Sequence, residues 1–317
     1  MDALGIDVGG TKVAAGVVTP EGQVVHTVRA HTPGRDRSSR AVEDAIVDVA
    51  RQLAAVHRVS AVGIGAAGFI DAAGSSVAFS PHVAWRNEPL RDALESRLGL
   101  SVVVDNDANT AARAEYRFGA ARGHRQALCV TLGTGIGGAL LVDGLVFRGA
   151  HGMAGEFGHM QVVPDGRPCE CGNRGCWEQY VSGRSLVRRA GDLIRSSSPA
   201  AAAFRGNLGD DPTRLAGQAV TAAARAGDST ATGLLAEAGD WLGTGLANLS
   251  AAFDPGVIVV GGGLAEAGDL LLEPARAALR RRLVGRGYRP EPAVVPAALG
   301  VDAGLIGAAD LARSQAG

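Results

Sequence analysis

Three of the chain's four cysteines fall inside GEFGHMQVVPDGRPCECGNRGCWEQY, the stretch from Gly155 to Tyr180. Cys171 and Cys176 have C-x4-C spacing, within the usual range for zinc ligands, while Cys169 stands one residue closer to Cys171 than usual. Gly172 and Gly175 let the backbone fold tightly enough to bring the sulfurs together. A tetrahedral site needs a fourth donor, and His159 is the nearest candidate upstream. A disulfide with a spare thiol, and surface thiols without metal, compete with the zinc reading. Clustered cysteines that stay reduced favour the metal.

Two glycine turns and one acidic segment add further chemistry. In DVGGT (Asp7 to Thr11) the Gly-Gly turn lets backbone N–H groups face an anion without Cβ obstruction. The Thr11 hydroxyl can donate to a phosphate oxygen, and Asp7 can hold a water of a magnesium ion. A plain tight turn explains the same residues. GTGIGG (Gly133 to Gly138) satisfies G-x-G-x-x-G, yet ALLVDGLVF follows it, strand, turn and strand, where a dinucleotide fold demands a helix. A second phosphate-contacting hairpin is the remaining functional reading.

DNDAN, Asp105 to Asn109, ends an apolar run and opens a helix. Acids and amides at the carboxyl end of a strand face the ligand crevice of an α/β sheet. A helix cap is the competing explanation, although one cap needs fewer polar groups. Glu156 and His159, at i and i+3, fall on one side of a helical turn or tight loop. Each alone reads as an ordinary surface residue.

The elements that must position these groups follow from apolar patterning. Ala3–Val8, Val13–Val18 and Gln23–Val28 read as a β-meander, and Ala61–Gly65 and Ser101–Val104 as further strands. Ala41–Val56, Arg91–Leu98 and Asn109–Phe118 read as helices. LGIDVGGTKVAAGVV and CVTLGTGIGGALLV share one plan of strand, glycine turn and strand, which implies a duplicated α/β architecture with a cleft between halves. Beyond the cysteines, Arg184–Arg195, Arg214–Ala226 and Ala231–Phe253 read as helices, with an exposed loop at 196–212. Val257–Val260 is a buried strand entering Gly261-Gly262-Gly263, then comes a helix ending near Leu283. Ala303–Arg313 is a last helix able to pack back on the first half.

With 317 residues, 46% hydrophobic and 20% charged, the chain can build about two soluble domains. A net charge of −1 presents no positive field to nucleic acid or a membrane surface. Lys12 is the only lysine, as a GC-rich genome would give. MDALGIDVGG has no basic n-region, and no run of about 18 apolar residues occurs, so neither a secretory signal nor a spanning helix is expected. The expected location is cytoplasmic.

DVGGTK, NDAN at 106–109, LGTGIGG at 132–138, AGEFGH at 154–159 and CECGNRGCWE at 169–178, in that order, resemble the ROK family of sugar kinases. PHVAWR (81–86) and VIVVGGG (257–263) extend the resemblance over essentially the whole chain, and it looks most similar to the ATP-dependent glucokinases of actinobacteria. The family pattern H-x9-C-x-C-G-x2-G-C-x-E matches His159, Cys169, Cys171, Gly172, Gly175, Cys176 and Glu178. His82 departs from it, since many relatives carry Asn before the tryptophan in a loop near the sugar.

The resemblance implies an actin-like ATPase fold, ribonuclease H-like and duplicated, with two domains around a cleft. The expected small domain is 1–106, completed by a C-terminal helix in 301–317; the large one is 107–300 with the zinc site. ATP with Mg²⁺ is the implied donor, structural Zn²⁺ the implied resident metal, and glucose the implied substrate, phosphorylated at its 6-hydroxyl. Asp107 matches the catalytic base, and Gly68, Asn106, Glu156, His159 and Glu178 match the other sugar contacts. Asp7, Gly9, Gly10, Thr11, Lys12, Gly133, Thr134, Gly135, Gly262 and Gly263 match the nucleotide side. Asp107 needs no raised pKa, because in a loose transition state the attacking hydroxyl becomes acidic late. A homodimer or dimer of dimers is implied. Another hexose (fructose, N-acetylglucosamine or N-acetylmannosamine), polyphosphate as donor, and a sugar-sensing regulator are the alternatives.

Overall fold

A computed structural model of the chain describes residues 1–196, 199, 204 and 215–315. The loop expected over 196–212 lies almost wholly outside the described residues, as does Arg214 at the start of one expected helix. The chain divides into two compact units: Met1–Leu128, Ala139–Gly155 and Ala297–Gly317 form the first, Cys129–Gly138 and Glu156–Pro296 the second.

In the first unit the expected meander is present. Strands β1 (Ala3–Val8), β2 (Lys12–Val18) and β3 (Val24–His31) pair antiparallel. Helix α1 (Ser39–Ala54) starts where the Ser38 hydroxyl accepts the Ala41 N–H. It buries Val42, Ile46, Val47, Val49, Ala50 and Leu53, then leads to β4 (Val62–Ala66). A small sheet of β5 (Phe69–Ile70), β6 (Val77–Phe79) and β7 (Arg86–Glu88) comes next. Strands of two or three residues are too short to show an alternating pattern, so the sequence carries no signal for them. Helix α2 (Leu90–Leu98), strand β8 (Val102–Asn106) and helix α3 (Asp107–Phe118) follow. The main sheet runs β3-β2-β1-β4-β8, with β4 parallel to both β1 and β8.

The C-terminal helix, Ala303–Gln315, lies against this sheet at backbone contact. A Cβ on Gly5 would meet the Leu305 carbonyl oxygen at 1.7 Å, and one on Gly63 would meet that of Ala308 at 1.8 Å. On the helix side, a Cβ on Gly307 would meet the Thr110 carbonyl oxygen at 1.7 Å. Helix α3 therefore packs with the C-terminal helix in the first unit, although the sequence-based division at 106/107 assigned it to the other domain. The apolar run of a helix does not say which sheet will cover it; these small residues decide it by allowing a close approach. Buried Glu115 adds a polar clasp inside the unit, its carboxylate accepting the Ala120, Ala298 and Leu299 N–H groups at 2.8, 3.1 and 2.9 Å.

The second sheet repeats the order of the first. Strands β9 (Gln126–Leu132), β10 (Ile136–Val142), β11 (Leu145–Val146), β12 (Val257–Gly261) and β13 (Ala293–Pro296) run β11-β10-β9-β12-β13. β10 and β11 are antiparallel and β12 and β13 parallel. The strand after GTGIGG is the one the sequence demanded in place of a dinucleotide helix. The second unit also holds helix α4 (Gly183–Arg195), the helices Gly217–Arg225 and Ser229–Phe253, and helix Asp269–Arg282. Gly239 and Gly243 let the last two of these touch, since Cβ atoms there would meet the Leu271 and Ala275 carbonyl oxygens at 2.5 and 2.3 Å.

Candidate active site

In the first unit the acidic segment forms the junction of β8 and α3. The Asn106 side-chain oxygen caps the helix, accepting from the Ala108 and Asn109 N–H groups at 2.9 and 3.3 Å. Its amide nitrogen donates to the Gly68 carbonyl at 3.1 Å. Asn106 is thus the cap that the sequence allowed for, and Asp107, the first helical residue, is left free for other work. The Asp107 carboxylate accepts the Ala108 N–H at 2.9 Å. Burial pushes its pKa above the usual carboxylate range, opposed by that hydrogen bond and by the nearby His82. The transfer does not require a raised pKa; desolvation at the end of the sheet supplies one.

Asp7 stands close enough for the two acids to repel. Burial, then the charge of Asp107, raises its pKa to about 7, with Lys12 pulling the other way. The Gly9–Thr11 turn joins β1 and β2: the Gly9 N–H donates to the Lys12 carbonyl at 3.0 Å, and the Thr32 hydroxyl donates to the Gly9 carbonyl at 2.8 Å. The Gly9 amide is thereby engaged within the hairpin, so a phosphate would have to use other groups of the turn. A Cβ on Gly10 would meet the His82 Cβ at 2.8 Å. His82, singled out as a departure from the family pattern, therefore touches the glycine turn as well as influencing Asp107.

In the second unit the four candidate ligands converge. Donor atoms of His159, Cys169, Cys171 and Cys176 all lie within 4.8 Å of one another. Cys171 Sγ and Cys176 Sγ are 3.6 Å apart, and His159 Nδ1 is 3.7 Å from Cys169 Sγ. A tetrahedron with Zn–S bonds of about 2.3 Å has edges of roughly 3.7 Å, so the donor set and its spacing fit zinc. Burial and the neighbouring thiols push Cys176 up to about 12, and burial raises Cys169 as well. Gly172 and Gly175, at φ of +92° and +76°, make the tight loop. At Gly175 a Cβ would also strike the Val163 carbonyl oxygen at 1.7 Å.

The expected sugar contacts of this unit surround the cluster. Glu156 opens the short 3₁₀ turn Phe157–His159, and its carboxylate is 3.9 Å from His159 Nε2. Glu178 accepts from the Cys169 thiol at 3.2 Å and lies 3.9 Å from His159 Nδ1. A Cβ on Gly135 would meet the Glu178 carboxylate at 2.4 Å, which gives the third glycine of that turn a reason distinct from phosphate contact. Between Cys176 and Glu178, the fully buried Trp177 donates from Nε1 to the Trp241 carbonyl at 2.8 Å. Gly245 opens the space for the indole. This anchor, and the role of Gly245, had no signal in the sequence beyond a glycine inside a helix.

Gly133, Thr134 and Gly263 line one cavity of about 470 Å³ in the second unit. The Gly183 N–H donates to the Gly133 carbonyl at 2.8 Å, tying the start of α4 to the glycine turn. Gly262, at φ +85°, backs onto the Leu132 main chain and does not line that cavity. Arg184, Val187, Gln218 and Thr221 are among the other wall residues. Sequence reasoning missed these four, because they belong to helix stretches of unremarkable composition.

The sequence matches the ROK family over residues 3–315. The chain belongs to the ROK family. It is 47% identical to a glucokinase of Streptomyces coelicolor, over 98% of this chain and 97% of that protein. A ROK family glucokinase from Streptomyces griseus, solved with glucose and AMPPNP, superposes with a TM-score of 0.91 at 46% identity, covering 99% of this chain and 100% of that one. The ROK hexokinase of Thermus thermophilus gives 0.78 at 34% identity, covering 99% of both chains. With the ROK assignment comes the expected fold class, an actin-like ATPase built from two α/β units. Among the described residues no helix is long and apolar enough to cross a membrane.

The raised acids of this ROK protein have a measurable consequence. Asp7 has a folded pKa of about 7 against 3.8 when unperturbed, so between those values the folded state holds a proton that the unfolded chain has released. Stability contributed by this group must therefore fall as pH rises through that window and level off above it. Asp7→Asn removes the charge but not the shape. Its thermal stability relative to wild type, without ligands, is expected to rise from about pH 4 to about pH 7 and then hold constant. A difference that does not change with pH would contradict the assignment.

Proposed function

We propose that this ROK protein is an ATP-dependent glucokinase, transferring the γ-phosphoryl group of ATP to the 6-hydroxyl of glucose. The carrying observation is Asp107: a desolvated carboxylate at the carboxyl end of β8, fixed by the first turn of α3 and beside a second acid, Asp7. Likeness to the Streptomyces glucokinases over nearly the whole chain supports glucose and ATP as the pair.

Phosphoryl transfer asks for alignment and for compensation of charge on the moving group. Asp107 accepts the proton of the 6-hydroxyl, and its raised pKa brings its proton affinity closer to the working pH. Asn106, Gly68, Glu156, His159 and Glu178 hold the remaining hydroxyls. The turn at Gly9–Thr11 with Lys12, and the cavity lined by Gly133, Thr134 and Gly263, take the nucleotide. Mg²⁺ supplies charge compensation at the phosphates when bound, and two mutually repelling acids, Asp7 and Asp107, suit a cationic neighbour. His159, Cys169, Cys171 and Cys176 hold zinc; four protein donors leave no open position, so its role is structural. With Nδ1 turned to the thiols, the imidazole keeps Nε2 for outward contact in a fixed direction. The protein works in the cytoplasm as a homodimer or dimer of dimers, for which Tyr288, 98% exposed, and Val284, 61% exposed, offer apolar surface.

A panel of hexoses with ATP, read as ADP release, tests the reading. Glucose is expected to exceed fructose, N-acetylglucosamine and N-acetylmannosamine by at least about tenfold in kcat/KM. Equal rates on glucose and the N-acetylated hexoses would overturn the specificity, and activity with polyphosphate alone would overturn the donor.

A further inference from the structure

Gln179 follows directly on Glu178 and closes the short 3₁₀ turn Trp177–Gln179. It is neither one of the four candidate ligands nor an expected sugar contact. It is only 7% exposed, so its side-chain amide has to find partners inside the second unit. Its main chain is already tied to the cluster, since its N–H donates to the Cys176 carbonyl at 3.0 Å.

The orientation of that amide follows from its neighbours. Arg188 of α4 donates from one terminal nitrogen to Gln179 Oε1 at 3.1 Å and from the other to the Gln179 carbonyl. Arg167 donates to the same carbonyl at 3.3 Å. A guanidinium can only donate, so the amide oxygen must face Arg188 and the amide nitrogen must face away from it. On that side Nε2 lies 3.5 Å from Cys169 Sγ and 3.4 Å from Glu178 Oε1, an acceptor for each of its two hydrogens.

Those two acceptors stand 3.2 Å apart. A cysteine ligates a metal as its thiolate, so with zinc held there the sulfur and the carboxylate are adjacent anions. Two N–H groups shared between them offset their repulsion, and a guanidinium on the amide oxygen strengthens both donors. We propose that Gln179 is a positioning residue joining the metal to the sugar contact. Its amide supports Cys169 as a zinc ligand and holds the Glu178 carboxylate for the sugar, and Arg188 locks the amide in that orientation. The inference rests on the zinc and sugar readings of the cluster, and names what couples the two.

Gln179→Met keeps the length of the side chain and removes its donors. Zinc affinity is read on the full chain by competition with a chromophoric chelator, and glucose affinity by calorimetry in excess zinc, so that the cluster stays loaded. Both dissociation constants are expected to rise on the order of 10-fold, the lower end of what losing an outer-shell partner costs. In the Co²⁺-substituted protein the sulfur-to-metal charge-transfer band should move to longer wavelength, because the sulfur loses a hydrogen bond that lowers the energy of its lone pairs. Arg188→Gln, at a half-buried position on α4, is the second variant should the first be poorly folded. It should give the same changes at smaller size, and Arg188→Lys should restore part of them. Wild-type zinc affinity and band position in Gln179→Met, or in Arg188→Gln where the first does not fold, would overturn the proposal. Unchanged glucose affinity in Gln179→Met, where Glu178→Gln weakens it, would overturn the link to the sugar. Unchanged glucose affinity in both would instead overturn Glu178 as a sugar contact, with the support of Cys169 still read from the band.

Discussion

Replacing Asp107 with asparagine is expected to lower kcat about 10²–10⁴-fold, or roughly 3–5 kcal/mol of transition-state stabilisation, with little change in glucose affinity. The substitution is chosen to spare the fold. An asparagine oxygen can still accept the Ala108 N–H that the Asp107 carboxylate now accepts at 2.9 Å. The cap is unaffected, because it belongs to Asn106. What disappears is the ability to take the proton of the sugar hydroxyl. A second readout separates this from a positioning effect: removing the Asp107 charge should bring the Asp7 pKa down from about 7, since that charge is one of its causes. Retention of more than about a tenth of wild-type turnover would remove Asp107 from the role of base.

Cys171→Ala is expected to abolish stoichiometric metal and to raise the glucose Kd on the order of 10–100-fold, taking the size of the effect that loss of a supporting contact has on a metal site's affinity or activity. Chelation of the wild-type protein should do the same reversibly. The geometry gives the reason. The Glu178 carboxylate stands 3.2 Å from the Cys169 sulfur and His159 Nδ1 stands 3.7 Å from it, so both expected sugar contacts take their positions from the cluster. Metal content and glucose binding should therefore be lost together. Nucleotide binding at the cavity of Gly133, Thr134 and Gly263 should change far less. Stoichiometric metal in Cys171→Ala would contradict the ligand set, and unchanged glucose affinity in the metal-free protein would remove the link to the sugar.

Much of the site is legible in the order and spacing of residues. The spacing of His159, Cys169, Cys171 and Cys176 foretold that these four side chains gather, because short loops with glycine at 172 and 175 have few ways to fold other than bringing the sulfurs together. The two glycine turns between apolar runs determined hairpins and ruled out a dinucleotide fold, because the residues after Gly138 alternate as a strand does. Their shared plan foretold two sheets of one order. These are local properties, set by period, turn chemistry and spacing within a few residues.

Only the tertiary structure decided the rest, because it depends on surfaces meeting across long stretches of chain. Nothing around Asp107 in sequence announces a raised pKa; burial at the end of the sheet produces it. Asp7 feels Asp107, a hundred residues later, because β1, β4 and β8 run parallel side by side. Trp177 holds the cluster to the helix Ser229–Phe253 through one indole hydrogen bond and the gap at Gly245. Gly5, Gly63 and Gly307 look unremarkable in sequence, and their meaning appears only where the C-terminal helix comes down on the first sheet. Spacing along the chain sets which groups can gather, but desolvation and backbone approach are properties of the packed molecule, and those set how the gathered groups behave.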